Sequence, residues 1–260
     1  MINPTFLYNP SKYIFSSFRM LHIIIVQNPK MFQLITSQTL AKKVPLDHLS
    51  YEVYSQGNIR IVGEFKAPIP EVLISLMTEF NPDTVFFVSE SYPVSDEKLP
   101  WDIILPNVLF PCNKEIEAVE ITKDMMASLA SQPIFLEHYP LQGDYNFETF
   151  GLSVGWIHVS GEWNTENEDF RIRLRVTYEN DTFDSYLYTF IEAAQLQWIQ
   201  EKAYPVAYIR TQDTATDAKN LWSIVNFIIG SIDVDLIPME DEENRAWEED
   251  ETWVDGSEEI

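Results

Sequence analysis

Three short apolar segments, each flanked by a helical pattern, constrain the fold of this chain more than any other feature. They are Ile23–Val26, Asp83–Val88 and Val206–Ile209. Strands buried in a parallel sheet have this uninterrupted apolar character, because helices cover both faces of such a sheet. Strands that alternate with helices predict an α/β protein. We therefore expect the three segments to lie in one mainly parallel sheet, with Ile23–Val26 as its first, central strand.

The segment 183–215 is predicted to form a helix and then a strand. Its apolar residues recur at spacings of three and four: Phe190, Ala193, Leu196, Trp198 and Ile199. This spacing predicts a helix with one apolar face from about Tyr186 to Lys202, before Pro205 prevents further helix. Asp213 follows the predicted strand. Open α/β sheets bind their ligands outside the carboxyl ends of their strands, so Asp213 is a candidate site residue.

Local patterns predict the remaining elements. Helices are expected at Gln33–Lys43, Pro70–Phe80, Glu115–Leu129 and Leu221–Ile229. Strands are expected at Tyr51–Tyr54, Ile59–Val62, Trp101–Val108, Gly151–Ser160 and the alternating run Phe170–Tyr178. Gly57, which can adopt positive φ, is expected to turn the hairpin between the first two of these strands. The loop-like segment Ser131–Phe150 is either a lid or a plain surface connection.

The order of these features resembles the nucleoside phosphorylase and nucleosidase superfamily. In that family a Met-Glu pair opens a helix and a Ser-Asp pair follows the next strand; Ile191-Glu192 and Gln212-Asp213 occupy these places here. The run Val159-Ser160-Gly161-Glu162-Trp163 is similar to the family's Val-Ser-Gly-Asp segment. The resemblance spans roughly Met20–Gly230 and contains no long identical run.

This resemblance implies a three-layer α/β/α fold with a mixed, mainly parallel central sheet, no cofactor, and commonly a homo-oligomer. It also implies a nucleoside-type ligand. Glu192 would bind ribose hydroxyls, and Ser160, Trp163 and Asn164 would line the pocket. Asp213 would protonate the leaving base. Such an acid promotes cleavage of an N-glycosidic bond because it neutralises the departing group.

The two family routes to a nucleophile are both altered in this chain. Where the family has a Gly-rich phosphate or ribose loop, this chain has Ser89-Glu90-Ser91-Tyr92-Pro93. A phosphate cradle needs backbone N–H donors, whereas Glu90 repels an anion and Pro93 lacks a donor. Where hydrolytic members have a water-activating Glu, this chain has Pro29-Lys30-Met31-Phe32.

Three hypotheses about function follow. The first is a diverged member that binds a nucleoside, nucleotide or nucleobase, with bond cleavage weakened or lost. The second is an active nucleosidase with a rebuilt water site, for which Glu90 is a candidate base. The third is a non-catalytic acidic protein that interacts with a basic or nucleic-acid-binding partner. Each of the two acids also has an interpretation that needs no ligand. Asp213 would be a helix N-cap, and Glu192 would be a solvated acid near a helix start.

Size and charge limit these possibilities further. A chain of 260 residues with 45% hydrophobic content favours one domain, expected at 20–238 after an extension at 1–19, unless Met20 is the true start. The formal net charge of −24 argues against direct binding of nucleic acid. Residues 239–260 form an acidic tail, expected to be disordered, that is solubilising or contacts a basic protein.

Other residue types argue against several classes of site. A single cysteine, Cys112, excludes an internal disulfide and fits a reducing cytosol. It is expected to be a buried, inert thiol. The four histidines, at positions 22, 48, 138 and 158, lack metal-ligand spacing, so no metal is expected. Neither a signal peptide nor a membrane-spanning segment is recognisable, which predicts a soluble, cytoplasmic protein.

Overall fold

The structure is a computed structural model that describes residues 20–46, 49–94, 103–111, 134–136, 152–160, 182–210 and 213–234, together with Ile172, Leu174 and Arg175. Of residues 153–158, 231, 233 and 234 it describes the backbone alone. Its strands are β1 His22–Val26, β2 Lys42–Val44, β3 Glu52–Gln56, β4 Ile59–Gly63, β5 Thr84–Pro93, β6 Ile103–Pro111, β7 Ile134–Phe135, β8 Leu152–Ser160, β9 Thr182–Asp184 and β10 Ala203–Ile209. Its helices are α1 Pro29–Gln38, α2 Ile69–Phe80, α3 Leu187–Leu196 and α4 Thr214–Val234, and a short 3-10 turn covers Gln200–Lys202.

The ten strands form one mixed sheet, and its centre is parallel. Strand β1 lies between β4 and β5, parallel to both, and β10 is parallel to β5 on its other side. The three apolar segments singled out in the sequence are therefore adjacent and parallel, which confirms the predicted sheet. The order β2-β3-β4-β1-β5 completes the open half of the sheet.

The other half of the sheet closes on itself. Strand β10 also pairs with β6, β6 with β8, β8 with β9, and β9 with β5. Pro205 lies within β10, whose hydrogen-bonded register with β6 begins only at Ala207. At Pro205 the strand is in register with Phe87 of β5 and precedes the register with β6, and proline is best tolerated in a strand where one neighbouring strand is absent.

Helices cover both faces of the sheet. One core cluster joins side chains of α1 and α4 to Phe86 and Val88 of β5, and the other includes α2, α3 and Phe87. Alternate residues of a strand point to opposite faces. The result is the predicted three-layer α/β/α arrangement. None of the helices in the described part of the chain is long and apolar enough to cross a membrane.

Helix α1 begins and ends earlier than the predicted Gln33–Lys43. Pro29 occupies its first position, where a fixed φ suits a helix and an N–H is not needed. The Oδ1 atom of Asn28 caps the helix by accepting from the backbone N–H of Lys30 and Met31. Lys42 and Lys43, predicted to be helical, belong to strand β2.

Three other predictions about local structure are confirmed. Gly57 turns the hairpin between β3 and β4 with φ of +58°. Helix α2 ends at Phe80, one residue before Asn81, which adopts the left-handed conformation at φ 44°. Helix α4 contains the predicted Leu221–Ile229 and extends it at both ends.

Helix α3 ends at Leu196, so the prediction of a helix to Lys202 was wrong. The N–H of Trp198 donates to the carbonyl of Gln195, and that of Ile199 donates to Ala194. This is a Schellman motif, with Trp198 at φ +59° in the position that usually holds glycine. Leu196 and Trp198, expected on the buried face, are 78% and 95% exposed.

Replacing Trp198 at this helix end with glycine is expected to stabilise the protein. Trp198→Gly should raise the free energy of unfolding by about 1 kcal/mol, because a left-handed residue with a Cβ is strained and the exposed indole contributes little packing. Denaturant unfolding measures the change. Trp198→Ala is the matched control, since it removes the ring and keeps the strain, and should be close to neutral. Equal gains from both variants would contradict this explanation.

The alternating run Phe170–Tyr178 is not a strand where the structure describes it. Ile172, Leu174 and Arg175 are helical. Ile172 is 55% exposed and Leu174 fully buried. Two residues that share a strand face lie about 200° apart around a helix, so the same alternation is compatible with one buried and one exposed side chain. Cys112, Glu115–Leu129 and most of Ser131–Phe150 lie outside the described residues.

Candidate functional site

The carboxyl ends of β1, β5 and β10 meet at one edge of the sheet, where open α/β folds bind ligands. Polar residues follow or end each of these strands. Asn28 follows β1, Ser89, Glu90 and Ser91 lie near the end of β5, and Arg210 follows β10. We take this carboxyl edge as the candidate functional site.

Glu90 lies at the centre of this edge on the face covered by α1 and α4. Its Oε2 atom accepts hydrogen bonds from Asn28 Nδ2 at 2.5 Å and from the Tyr208 hydroxyl at 3.2 Å. Its Oε1 atom lies 3.6 Å from the guanidinium of Arg210. The side chain of Glu90 is 9% exposed. A carboxylate so little exposed is stable only with such partners.

Two tyrosines beside Glu90 stay protonated near neutral pH. Burial raises the pKa of Tyr208 strongly, and the negative charge of Glu90 raises it further. The pKa of Tyr92 rises for the same two reasons in the same order. The Tyr208 hydroxyl therefore remains a hydrogen-bond donor to Glu90.

The opposite face of β5 carries two buried serines. Ser89 is 0% and Ser91 1% exposed. Within the described part of the chain, neither hydroxyl oxygen has a hydrogen-bond partner. An unpaired buried polar group costs about 1–3 kcal/mol. Two such groups near the end of one strand mark a place where a polar ligand would find partners.

Ser160, predicted to line the pocket, ends β8 and is buried. Its hydroxyl donates to Asp184 Oδ1 and accepts from the backbone N–H of Tyr188. Asp184 ends β9, is fully buried and accepts from the N–H of Leu187. The pairing of Tyr92 with Phe183 puts Ser91 and Asp184 at the next opposed positions of β5 and β9. Ser160 therefore lies at the carboxyl edge, beside an acid that opens helix α3.

Asp184 was not selected in the sequence, where Glu192 was assigned to open the helix. The structure places Glu192 inside α3, exposed to solvent. Burial raises the pKa of the nearby Tyr188, and the negative charge of Glu192 raises it further. The signal for Asp184 was its position three residues before the first apolar residue of the helix, a spacing typical of capping residues. A ribose-binding role for Glu192 stays a prediction.

Asp213 lies just before α4 and caps it. Its Oδ1 atom accepts from the N–H of Ala215 at 3.1 Å, and its Oδ2 atom accepts from the hydroxyl of Thr216 at 2.5 Å. These bonds, that of Thr216 first, lower the pKa of Asp213. The N-cap interpretation of Asp213 is thus confirmed. Its role as the acid for a leaving base stays a prediction.

Some predicted features lie outside the described residues or away from this edge. Trp163, Asn164 and the acidic tail belong to the first group. Among the described residues, no three His, Cys, Asp or Glu side chains form a cluster that could hold a metal. A groove of about 640 Å³ lies between α1, β2 and β3. Neither Ser160, Glu192 nor Asp213 lines that groove, so we do not assign the predicted chemistry to it.

The fold described above is shared with several solved nucleosidase and hydrolase structures. Helicobacter pylori MTAN matches with a TM-score of 0.55 and 11% identity, over 79% of this chain and 99% of that one. Arabidopsis thaliana 5'-methylthioadenosine nucleosidase matches with a TM-score of 0.55 and 10% identity, over 80% and 96%. Futalosine hydrolase of Helicobacter pylori matches with a TM-score of 0.54 and 11% identity, over 80% and 98%.

These matches confirm the fold that the sequence resemblance implied. At such low identity they establish the fold alone, because one fold supports many activities. Comparison of the sequence with protein-family models gives no match. Comparison with curated proteins gives none either. The activity of a protein with this fold depends on the residues at its functional site.

Proposed function

We propose that this chain binds a nucleoside, nucleotide or nucleobase at the carboxyl edge, with N-glycosidic cleavage weakened or lost. The observation that carries the proposal is the pair of buried hydroxyls on Ser89 and Ser91, which lack partners in the described residues. Hydroxyl and ring-nitrogen groups of such ligands would satisfy them. The shared fold supports the ligand class, since one Helicobacter pylori neighbour was solved with 5'-methylthioadenosine in its active site.

The state of Asp213 supports the loss of cleavage. A general acid must hold a proton at the operating pH. The hydrogen bonds from Ala215 and Thr216 favour the ionised carboxylate, and they lower the pKa of Asp213. In this conformation Asp213 accepts hydrogen bonds and stabilises the start of α4. It would have to leave that cap before it could donate a proton to a departing base.

The second hypothesis, hydrolysis at a rebuilt water site, rests on Glu90. Its carboxylate lies at the same edge, little exposed, as a water-activating base would. Asn28 and Tyr208 donate hydrogen bonds to this carboxylate and Arg210 forms an ion pair with it, which leaves a position at which it can accept a further hydrogen bond. A water bound at the remaining position would give this chain a nucleosidase activity. Binding without efficient turnover remains the better supported function.

Thermal unfolding with added adenosine, 5'-methylthioadenosine or adenine tests the binding proposal. We expect at least one to raise the melting temperature, because a ligand that binds the native state alone stabilises it. Ser89→Ala and Ser91→Ala should weaken that ligand by about 2- to 10-fold, the effect of a lost hydrogen bond. The same variants should leave the free protein equally or more stable, since an unpaired buried hydroxyl is removed.

Release of free base, followed with and without phosphate, separates the two hypotheses. We expect none from the wild-type protein. Phosphate-independent release that falls about 10²- to 10⁴-fold in Asp213→Asn would instead support the hydrolytic hypothesis. The absence of any stabilisation by all three compounds, together with unchanged behaviour of the serine variants, would contradict the binding proposal.

A further inference from the structure

Two hydrogen bonds and one ion pair, from three segments of the chain, converge on the single carboxylate of Glu90. They come from the amide of Asn28 at 2.5 Å, the hydroxyl of Tyr208 at 3.2 Å and the guanidinium of Arg210 at 3.6 Å. We call these three groups the anion cradle. Amide, hydroxyl and guanidinium donors are the groups that proteins use to bind oxyanions. The arrangement therefore has the chemistry of an oxyanion site that a side chain of the protein itself occupies.

The orientation of Asn28 is fixed by helix α1. Its Oδ1 atom accepts from the N–H groups of Lys30 and Met31, so its Nδ2 atom is the one that faces Glu90. The start of a helix carries partial positive charge. The carboxylate of Glu90 thus lies near the positive end of a ten-residue helix. An anion at the position of the Glu90 carboxylate is therefore favoured by the start of α1, by Asn28 and by Arg210.

Further negative charge surrounds the anion cradle. Asp217 of α4, which is 4% exposed, acts on Tyr208 from the covering helix. Arg210 is the cation that the described structure places against Glu90, and its side chain is 56% exposed. A second anion entering the cradle would meet the charges of Glu90 and Asp217 against one guanidinium, and would be repelled.

We propose that Glu90 is a built-in anion that fills the cradle, excludes phosphate and other oxyanions from the carboxyl edge, and restricts this part of the site to uncharged ligand groups. The inference does not depend on nucleoside binding. It assigns a specificity-determining role to Glu90, with Asn28, Tyr208 and Arg210 as the residues that hold it. Removing the carboxylate should turn the same three donors into a site for an external oxyanion.

Binding of inorganic phosphate, measured by calorimetry and by thermal unfolding against chloride of equal ionic strength, tests this proposal. The wild-type protein should show no specific response to phosphate. Glu90→Ala should bind phosphate about tenfold or more tightly than wild type, because charge-assisted hydrogen bonds to three donors become available. The double variant Glu90→Ala/Arg210→Gln should lose most of this gain.

Glu52→Ala is the matched control. Glu52 also accepts from a cation, Lys43 at 2.6 Å, but this pair is exposed and joins β3 to the edge strand β2. Its removal should produce no phosphate response. If Glu90→Ala does not fold in chloride, recovery of its fold by phosphate supports the proposal, and Glu90→Ser provides a second test of the same kind.

Two results would overturn the inference. One is a phosphate response in the wild-type protein that Arg210→Gln abolishes, because the cradle would then already accept an external anion. The other is the absence of any phosphate response in both Glu90→Ala and Glu90→Ser, whether they are folded or not. Neither result depends on whether the chain binds nucleosides, so failure here leaves the proposed ligand class to its own test.

Discussion

Phe87→Ala is expected to lower the free energy of unfolding by about 3–5 kcal/mol, the cost of deleting a buried aromatic ring. Phe87 is fully buried in β5. It stacks on Phe190 of α3 with ring centroids 5.0 Å apart and an interplanar angle of 24°. Strand β5 pairs with β1, β9 and β10, so the cavity would open where the sheet and α3 meet. Urea unfolding gives the change directly.

Ile74→Ala is the control for the loss of an aliphatic side chain at the surface. Ile74 lies on α2 and is 52% exposed, so its change should stay within about 0.5 kcal/mol. The double variant Phe87→Ala/Phe190→Ala should reveal a coupling of about 0.5–1.5 kcal/mol for the stacked pair. A cost below that of Ile74→Ala would show that Phe87 does not belong to the core.

Asp184→Ala is expected to cost about 2–4 kcal/mol, because the change removes a helix cap and leaves buried partners unpaired. Leu187 would lose the acceptor for its N–H, and the hydroxyl of Ser160 would lose its own acceptor. All of these groups lie at the carboxyl edge beside Ser91. The same variant should therefore weaken any ligand that binds at this edge. Denaturant unfolding and ligand-induced stabilisation measure the two effects separately.

Asp213→Ala provides a matched comparison, since Asp213 caps a helix in the same way but is exposed. Its loss of stability should be clearly smaller than that of Asp184→Ala. The contribution of Asp213 to stability should also disappear in acid. Folding lowers the pKa of Asp213, so this contribution is present above the pKa of the unfolded chain and is lost as the pH falls through the lower pKa of the folded protein. Equal losses for both aspartates would show that burial of Asp184 adds nothing.

The central strands of this protein could be read from the sequence because their signal is local. The β-branched run Ile23–Val26 and the apolar runs within β5 and β10 can be buried only between two helical layers. Helix boundaries were less predictable. The pattern around α3 continues through Trp198, yet hydrogen bonds from Trp198 and Ile199 end the helix at Leu196. Periodicity gives the type of element, whereas its end depends on which backbone groups find partners.

Part of the candidate site was visible in the same way. Ser160 ends β8 as predicted, and Asp213 lies beyond β10, directly before α4. The link between Asn28, Glu90 and Tyr208 was not visible, because these residues are 62 and 118 positions apart. Nor could the sequence show that Ser89 and Ser91 are buried with no hydrogen-bond partner among the residues that the structure describes. Such facts arise only when strands distant in the chain become neighbours.

The sequence by itself determined the class of fold, through the spacing of apolar residues that each strand and helix must bury. It also determined what is missing, since a segment without glycine offers no flexible phosphate loop. Only the tertiary structure decided what the remaining polar residues do. By pairing β5 with β1 and β10, it brought Asn28, Tyr208 and Arg210 to Glu90, and it buried two serine hydroxyls that have no partner in the described part of the chain. Hydrophobic patterning is encoded over a few residues, whereas hydrogen bonding and charge depend on distances that the complete fold sets.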